Sequence, residues 1–225
     1  MRIGADVGGT FTDVVSIADD GTFEIAKVLS TPPNYDAGVV DGIGQLGAQA
    51  KPSEVVHGTT VATNAVLERR GARTAMVTTA GFRDVLELRR LRLPKLYDPF
   101  WVKPPPIIER ALRFEVLERI RADGSVEVEL DLASVEGLAE RLRAEAVSSV
   151  AVCLINSYVN PDHERRVGES LRRLLPECSV SLSIEILREQ GEYERSATAA
   201  VNAYVGDVAP PTSAQVEPPS LLACH

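Results

Sequence analysis

Cysteines, basic charge and long apolar runs are all scarce in this sequence, and each shortage excludes a class of function. Lys and Arg together number 24 against 32 Asp and Glu, which gives a formal net charge of -8. A nucleic-acid-binding surface would be basic, so this charge argues against that class. The three cysteines are Cys153, Cys178 and Cys224. They are scattered and odd in number, without metal-site spacing or a disulfide framework, which fits a reducing compartment.

Membrane and export signals are not evident either. No run of apolar residues approaches the roughly 20 that a membrane-spanning helix requires. Asp6 interrupts the apolar segment at the amino terminus, so we expect no signal peptide. The sequence therefore predicts a cytoplasmic protein that binds neither a membrane nor nucleic acid.

What the sequence does contain is an alternation of strand-prone and helix-prone segments. Residues 2–7, 11–18 and 22–29 are separated by Gly8-Gly9 and Asp20-Gly21, which predicts a three-stranded antiparallel meander. Further strands are predicted at 53–58, 73–79, 148–155 and 179–186, a hairpin at 112–130, and helices at 35–48, 60–70, 134–146, 162–175 and 191–205. Residues 89–110 are too proline-rich for a regular element. This order predicts an α/β fold with a mixed sheet.

The turn after the first strand, Gly8-Gly9-Thr10, has two open interpretations. Paired glycines are common in ordinary hairpins, and they also let backbone N–H groups point into a concavity that can hold phosphate oxygens. Thr10 and Thr12 add hydroxyl groups at the same rim. The turn leads into a strand and not into a helix, so it is neither a dinucleotide fingerprint nor a P-loop.

Two carboxylates flank this turn. Asp6 ends the first strand and is suited to hold Mg²⁺ through water, as that ion prefers. Asp13 lies on the departing strand and has four open roles: a metal ligand, a group that orients the attacking atom, a partner of a nearby cation, or a cap of the turn.

A second candidate segment, HGTTVATNA, lies between a predicted strand and a predicted helix. His57 is either an acid–base group or a structural residue. Thr59 and Thr60 either contact an anionic or polar ligand or simply cap the helix. Near the carboxyl end, Glu192, Glu194 and Arg195 are interpreted as including solvated helix charges.

Several long blocks carry a family resemblance. DVGGTFTDVV resembles the first phosphate loop of the actin, sugar-kinase and heat-shock ATPase superfamily. The blocks HGTTVATNAVLERRGARTAMVTTAGFRDVLELRR, AVCLINSYVNPDHERRV and EYERSATAAVNAYVG closely resemble the hydantoinase A/5-oxoprolinase family. The resemblance implies an actin-like (ribonuclease H-like) lobe with a mixed sheet and an amino-terminal antiparallel meander.

The resemblance also implies an activity. Members of the family use ATP and Mg²⁺ to phosphorylate a carbonyl oxygen, so that a cyclic amide of the hydantoin or 5-oxoproline type is hydrolysed or a ketone is carboxylated. It implies a hydantoinase B-type partner and hence a hetero-oligomer. On this basis we expect Asp6 to hold magnesium. We expect the phosphate-binding residues to be Gly8, Gly9, Thr10, Thr12, Thr59 and Thr60. The expected catalytic residues are Asp13 and His57.

The resemblance further predicts three parts of the chain. These are an amino-terminal hydantoinase/oxoprolinase domain over 1–190, the start of a second hydantoinase A domain over 191–206, and a tail over 207–225. The tail is proline-rich without periodicity, which predicts disorder over 209–225. In the superfamily a second lobe supplies another phosphate loop and an adenosine-binding segment. Neither motif is found, so we expect the second lobe to be missing and the chain alone to show no activity. The alternative is a truncated, inactive lobe that acts only through partner binding.

Overall fold

A computed structural model describes residues 1–32, 34–46, 52–91 and 97–206. These residues form two units, Met1–Gly71 and the part from Ala72 onward, and each is described by itself. Together they make a mixed α/β protein, as predicted. No described helix has the length and apolar character needed to cross a membrane.

The first unit is a four-stranded mixed sheet with two helices. Its elements are β1 (Arg2–Val7), β2 (Phe11–Ile17), β3 (Phe23–Leu29), α1 (Tyr35–Gln45), β4 (Glu54–Thr59) and α2 (Val61–Leu67). The strand order is β3-β2-β1-β4. The first three strands are antiparallel neighbours, which confirms the meander, and β4 runs parallel to β1. Helix α2 ends a turn before the predicted boundary.

Only one face of this sheet is covered within the unit. Alternating residues such as Ile3, Val14 and Val28 point to the side on which α1 packs. Gly42 lets the helix approach, because a Cβ there would lie 2.5 Å from Val14 Cγ2. The other face, which we call the open face, leaves apolar side chains such as Ile25 64% exposed.

The second unit is built on a parallel sheet. Its strands are β5 (Thr74–Thr79), β6 (Arg113–Val116), β7 (Arg119–Ile120), β8 (Val126–Val128), β9 (Ser149–Cys153) and β10 (Ser179–Leu182). Its helices are α3 (Val85–Leu88), α4 (Leu132–Ala144), α5 (Asp162–Leu174), α6 (Ser183–Ile186) and α7 (Glu192–Val205), with a 3₁₀ turn at Arg110–Leu112. The sheet order is β10-β9-β5-β6, all parallel. Every residue of β5 and β9 is buried, as in a parallel sheet covered on both faces.

Two sequence predictions for this unit are partly wrong. The turn at Asp123-Gly124 does join an antiparallel hairpin, β7–β8, but the preceding β6 pairs in parallel with β5. The alternating segment 179–186 is a strand only to Leu182. Helix α6 begins at Ser183 because the Glu164 carboxylate accepts hydrogen bonds from Ser183 Oγ (2.8 Å) and the Ile184 amide (3.0 Å).

Glu164 and Arg195 form a fully buried ion pair in the second unit. Both side chains have no exposure, and Arg195 Nη2 lies 3.5 Å from Glu164 Oε2. The carboxylate also accepts from the Leu154 amide at 2.8 Å and from Ser157 Oγ at 2.6 Å. Arg195 donates to the Leu154 carbonyl at 3.1 Å and to Glu192 at 3.0 Å. Arg195 is therefore not a solvated helix charge.

Cys153 lies in the core of the second unit at 2% exposure. Burial raises the pKa of the Cys153 thiol to about 11. The described residues of the predicted irregular segment 89–110 contain no α-helix or strand, although Arg110 begins the 3₁₀ turn. The prediction of disorder over 209–225 falls outside the described residues.

Candidate functional site

A row of four residues crosses the open face of the first unit, one from each strand. The register pairs Asp6 with Asp13 across β1 and β2 and with Gly58 across β1 and β4. Asp13 is paired in turn with Lys27 of β3. Residues paired directly across neighbouring strands point to the same side of a sheet. The row therefore runs Lys27, Asp13, Asp6, Gly58 near the carboxyl ends of β1 and β4.

The two carboxylates in this row have different environments. Lys27 Nζ donates to both oxygens of Asp13, at 2.7 and 2.9 Å, and lies 5.2 Å from the centre of the Phe11 ring. Asp6 is exposed, and no described residue donates a hydrogen bond to its carboxylate or pairs with it. One carboxylate is thus neutralised by a lysine while the other is available to a ligand.

Two glycines open a shallow trough beside Asp6. A Cβ placed on Gly4 or Gly58 would meet nothing within 4 Å. The trough has a volume of ≈ 340 Å³. Its lining includes Gly4, Asp6, Asp13, Val15, Val56 and Gly58. A polar ligand group can therefore reach the strand backbone at this point, which side chains would otherwise cover.

The glycine turn lies at the end of the trough and has a fixed geometry. The Gly8 amide donates to the Phe11 carbonyl at 2.9 Å, and a Cβ on Gly8 would lie only 2.9 Å from that oxygen. Ser30 Oγ donates to the Gly8 carbonyl at 2.7 Å and lies 3.0 Å from Thr12 Oγ1. No described residue accepts a hydrogen bond from the amides of Gly9 or Thr10. Both residues are exposed, and their two amides are suited to an anion.

The junction between β4 and α2 lies beside this turn. The Thr60 amide donates to the Val7 carbonyl at 3.1 Å, and Thr59 Oγ1 donates to the same oxygen at 3.2 Å. Thr59 Oγ1 also accepts from the Val61 amide at 3.2 Å, while Asn64 Nδ2 donates to Thr60 Oγ1 at 3.4 Å. Thr60 is therefore the N-cap residue of α2 without a side-chain cap hydrogen bond, and the Thr59 hydroxyl supports the start of the helix. Ligand contact by Thr59 or Thr60 stays a prediction.

The structure does not bring every candidate residue into the trough. His57 is paired with Ala5, and therefore lies on the α1 side of the sheet, away from Asp6 and Asp13. Thr12 is fully buried on that same side. Its hydroxyl is placed to support the turn through Ser30. The predicted roles of His57 and Thr12 in ligand contact or catalysis remain predictions.

Sequence reasoning missed Lys27, although the hairpin register carries a signal for it. Paired residues of β2 and β3 have numbers that sum to 40, as in Ile17 with Phe23, so Asp13 must face residue 27. A basic residue at that position indicates a cross-strand ion pair.

The chemistry of the trough fits magnesium better than a metal that needs several protein ligands. Among the described residues no three His, Cys, Asp or Glu side chains are grouped so as to hold a metal ion. Mg²⁺ keeps most of its waters and is bound by one or two carboxylates together with phosphate oxygens. The unpaired carboxylate of Asp6 meets that requirement.

The fold and the trough define an α/β protein with a candidate anion and metal site at a glycine turn. The chain belongs to the hydantoinase/oxoprolinase family, because the model of that family's N-terminal region matches residues 2–175. It is 32% identical over 218 residues to caprolactamase subunit alpha from Pseudomonas jessenii, covering 92% of this chain and 31% of that protein. It is 31% identical over 241 residues to 5-oxoprolinase 1 from Arabidopsis thaliana, covering 92% of this chain and 19% of that protein.

Solved structures show the same fold. The nucleotide-free structure of an acetone carboxylase that carries out ATP-dependent acetone carboxylation matches with a TM-score of 0.82 at 25% identity. The crystal structure of the ATP-dependent caprolactamase from Pseudomonas jessenii matches with a TM-score of 0.80 at 32% identity. Each match covers 92% of this chain and 32% of the other. The chain therefore spans less than a third of the length of the relatives named here.

Proposed function

We propose that this chain is the phosphate-binding part of an ATP-dependent hydrolase subunit that activates a cyclic amide for ring opening. The observation that carries the proposal is the unpaired Asp6 carboxylate next to the free amides of Gly9 and Thr10. The relatives support the choice of reaction, because the caprolactamase is by name ATP-dependent and the oxoprolinase is named for 5-oxoproline. Both names describe enzymes that act on a ring amide.

In this proposal the chain positions charge and performs no covalent step itself. Asp6 would hold Mg²⁺ through water, and the Gly9 and Thr10 amides would donate to phosphate oxygens. ATP would supply the phosphoryl group. The amide oxygen would form a bond to the γ-phosphorus as the bond to ADP breaks. Phosphorylation would make the carbonyl carbon more electrophilic, so that water adds there and the protonated ring nitrogen leaves as the C–N bond breaks. A second water would then hydrolyse the resulting acyl phosphate to the carboxylate and inorganic phosphate.

A second candidate differs only in the acceptor. The likeness to acetone carboxylase favours an ATP-binding subunit that phosphorylates a ketone oxygen for carboxylation. The same trough would serve, since both reactions place a carbonyl oxygen in line with the terminal phosphate. The caprolactamase relative is by name a subunit alpha, which supports a hetero-oligomer. We propose a hydantoinase B-type subunit as the partner.

The test uses a family-length polypeptide that carries this chain, expressed with a hydantoinase B-type subunit. ADP release is measured with caprolactam, 5-oxoproline, hydantoin, and acetone with bicarbonate. We expect Asp6→Asn to lower substrate-stimulated turnover by about a hundredfold or more at saturating Mg²⁺. Asp41→Asn is the matched control, because Asp41 is an exposed carboxylate on α1.

Three outcomes would count against parts of the proposal. Equal turnover by Asp6→Asn and wild type would remove Asp6 from the site. ADP release that only the ketone stimulates would select the carboxylase. No stimulation by any acceptor would reject the catalytic proposal, and would favour a part that acts only through partner binding.

A further inference from the structure

We propose that Lys27 contacts the terminal phosphate oxygens of the nucleotide, and that Asp13 is its positioning residue and not a metal ligand. This inference rests on the proposed function, because it requires a polyphosphate in the trough. Lys27 and Asp13 are the ion-paired residues of the row that crosses the open face.

The Lys27 side chain reaches away from its own strand. Lys27 belongs to β3, but its ammonium group is bonded to Asp13 and lies over the Phe11 ring, and both of these residues belong to β2. The side chain therefore reaches over to β2, the strand that lies between β3 and Asp6 on β1. Neighbouring strands are about 4.8 Å apart, so β1 lies about one strand spacing beyond the strand that Lys27 contacts.

The Lys27 ammonium group has more hydrogen-bond donors than its pair with Asp13 uses. A lysine ammonium group carries three N–H donors. Two of its hydrogen bonds are made to the two oxygens of Asp13. The remaining donor can serve a phosphate oxygen without breaking the pair, and Asp13 and Phe11 together limit where it can point. An ion pair held in this way is pre-organised for an anion.

The charges of the row also favour a contact between Lys27 and a phosphate group. A metal-bound polyphosphate next to two unpaired aspartates would be repelled by the one that does not bind the metal. Lys27 cancels the charge of Asp13 and leaves Asp6 as the unpaired carboxylate of the row. On the open face the other β3 residues are apolar (Phe23, Ile25 and Leu29), so Lys27 is the cation that this strand contributes.

A plain cross-strand ion pair is the competing explanation. The Lys27 and Asp13 side chains are 56% and 44% exposed, and exposed pairs usually contribute little to stability. A structural pair predicts that removal of Lys27 alters stability alone. A phosphate contact predicts a loss of affinity that grows with the number of phosphates on the ligand.

The experiment titrates this 225-residue chain with magnesium tripolyphosphate, MgATP and AMP. Binding is monitored through the amide NMR signals of Gly9 and Thr10. NMR detects weak complexes, so ligand concentrations up to about 20 mM cover millimolar affinities. We expect Lys27→Met to weaken tripolyphosphate and ATP binding by about tenfold to a hundredfold and AMP binding much less. Lys27→Arg should restore most of the affinity. Arg2→Met is the matched control, because Arg2 is an exposed cation on the same face at the far end of β1.

Asp13 is tested through its dependence on Lys27. We expect Asp13→Asn to weaken tripolyphosphate binding in the wild-type background and to have little further effect when Lys27 is already Met. The magnesium dependence of binding should survive in both backgrounds. A residue that held the metal directly would instead abolish that dependence whether or not Lys27 is present.

The outcomes separate the inference from the proposed function. If polyphosphate binds wild type and Lys27→Met with equal affinity and shifts the amide signals of Gly9 and Thr10 in both proteins, the role of Lys27 is overturned. The phosphate site itself then stands. Loss of magnesium dependence in Asp13→Asn with Met at position 27 overturns the positioning role. If polyphosphate perturbs neither Gly9 nor Thr10 in the wild-type chain, the phosphate site itself is wrong and the inference falls with it.

Discussion

Charged residues have opposite environments in the two units. In the first unit Lys27, Asp13 and Asp6 stand on an exposed sheet face, and Asp6 has no partner among the described residues. In the second unit Glu164 and Arg195 are fully buried and bonded to each other and to the surrounding backbone. The charged side chains on the exposed sheet face are available to a ligand, while those of Glu164 and Arg195 stabilise the fold.

This difference has an energetic consequence. Removing one member of a buried ion pair leaves an uncompensated charge and costs about 3–5 kcal/mol, whereas an exposed pair contributes at most about 1 kcal/mol. We therefore expect substitutions of charged residues in the first unit to act on ligand binding and those in the core of the second unit to act on stability. The predictions below test this division.

The largest effect should come from Arg195→Met, which leaves Glu164 buried without its cation. We expect the free energy of unfolding of the second unit to fall by about 3–5 kcal/mol. Hydrogen exchange of the β9 amides measures this change. The double variant Glu164→Met with Arg195→Met should recover part of the loss. Arg172→Met is the control, because its pair with Glu185, at 2.9 Å, is exposed, and should cost less than about 1 kcal/mol. Equal costs of the two single variants would contradict the comparison.

A smaller effect is expected in the first unit from Gly8→Ala. The added Cβ would lie 2.9 Å from the Phe11 carbonyl oxygen, so the turn must shift, at a cost of about 1–3 kcal/mol. Exchange of the β1 and β2 amides measures this cost. Gly58→Ala is the matched control, since its Cβ meets nothing within 4 Å and should leave stability nearly unchanged while it narrows the trough. If Gly58→Ala proved the more damaging of the two, the described turn geometry would be wrong.

The contrast also explains which features the sequence predicts. The first unit is built mainly from local pairings, so alternation and the turns at Gly8-Gly9 and Asp20-Gly21 were enough to predict the meander. Asp6 was found as a candidate because it stands at the end of a strand next to glycines. Lys27 was missed although the register of the same hairpin places it opposite Asp13.

The second unit depends on contacts between residues far apart in sequence, and the errors lie there. The segment 113–116 alternates like a hairpin strand, yet its partner is β5, more than thirty residues earlier. The pattern over 179–186 continues smoothly, while Glu164 of α5 ends the strand by binding the Ser183 hydroxyl and the Ile184 amide. Nothing in the local sequence indicates either interaction, and the burial of Arg195 has the same origin.

A pH effect should follow from Glu192, which bonds to Arg195 and the Asn156 amide. Burial raises the pKa of the Glu192 carboxyl above its usual 4.5, and the neighbouring Arg195 offsets this only in part. The folded state then binds more protons than the unfolded state between pH 4.5 and the folded pKa, so stability falls as pH rises through that window. We expect Glu192→Gln to flatten this slope in thermal unfolding measured from pH 4 to 7. The effect should be smaller than that of Gly8→Ala, because the side chain is 29% exposed. A slope that is unchanged in Glu192→Gln would assign it to another group.

The smallest effect, and the sharpest test of the open face, is expected from Ile25→Thr. Ile25 is 64% exposed, and Thr is also β-branched and suited to a strand, so the free energy of unfolding should change by no more than about 0.5 kcal/mol. Val28→Thr is the matched control three residues along the same strand. Val28 is only 8% exposed on the α1 side, and a buried hydroxyl without a partner should cost about 1–3 kcal/mol.

Both variants are measured by denaturant unfolding at two protein concentrations. A cost for Ile25→Thr equal to that of Val28→Thr would mean that the open face is covered in solution, and a cost that grows with protein concentration would assign the cover to a second copy of the chain. Either result would contradict the contrast between the two units. The row from Lys27 to Gly58 would then lie in an interface, and its charged side chains would contact the covering surface and would not be available to a ligand.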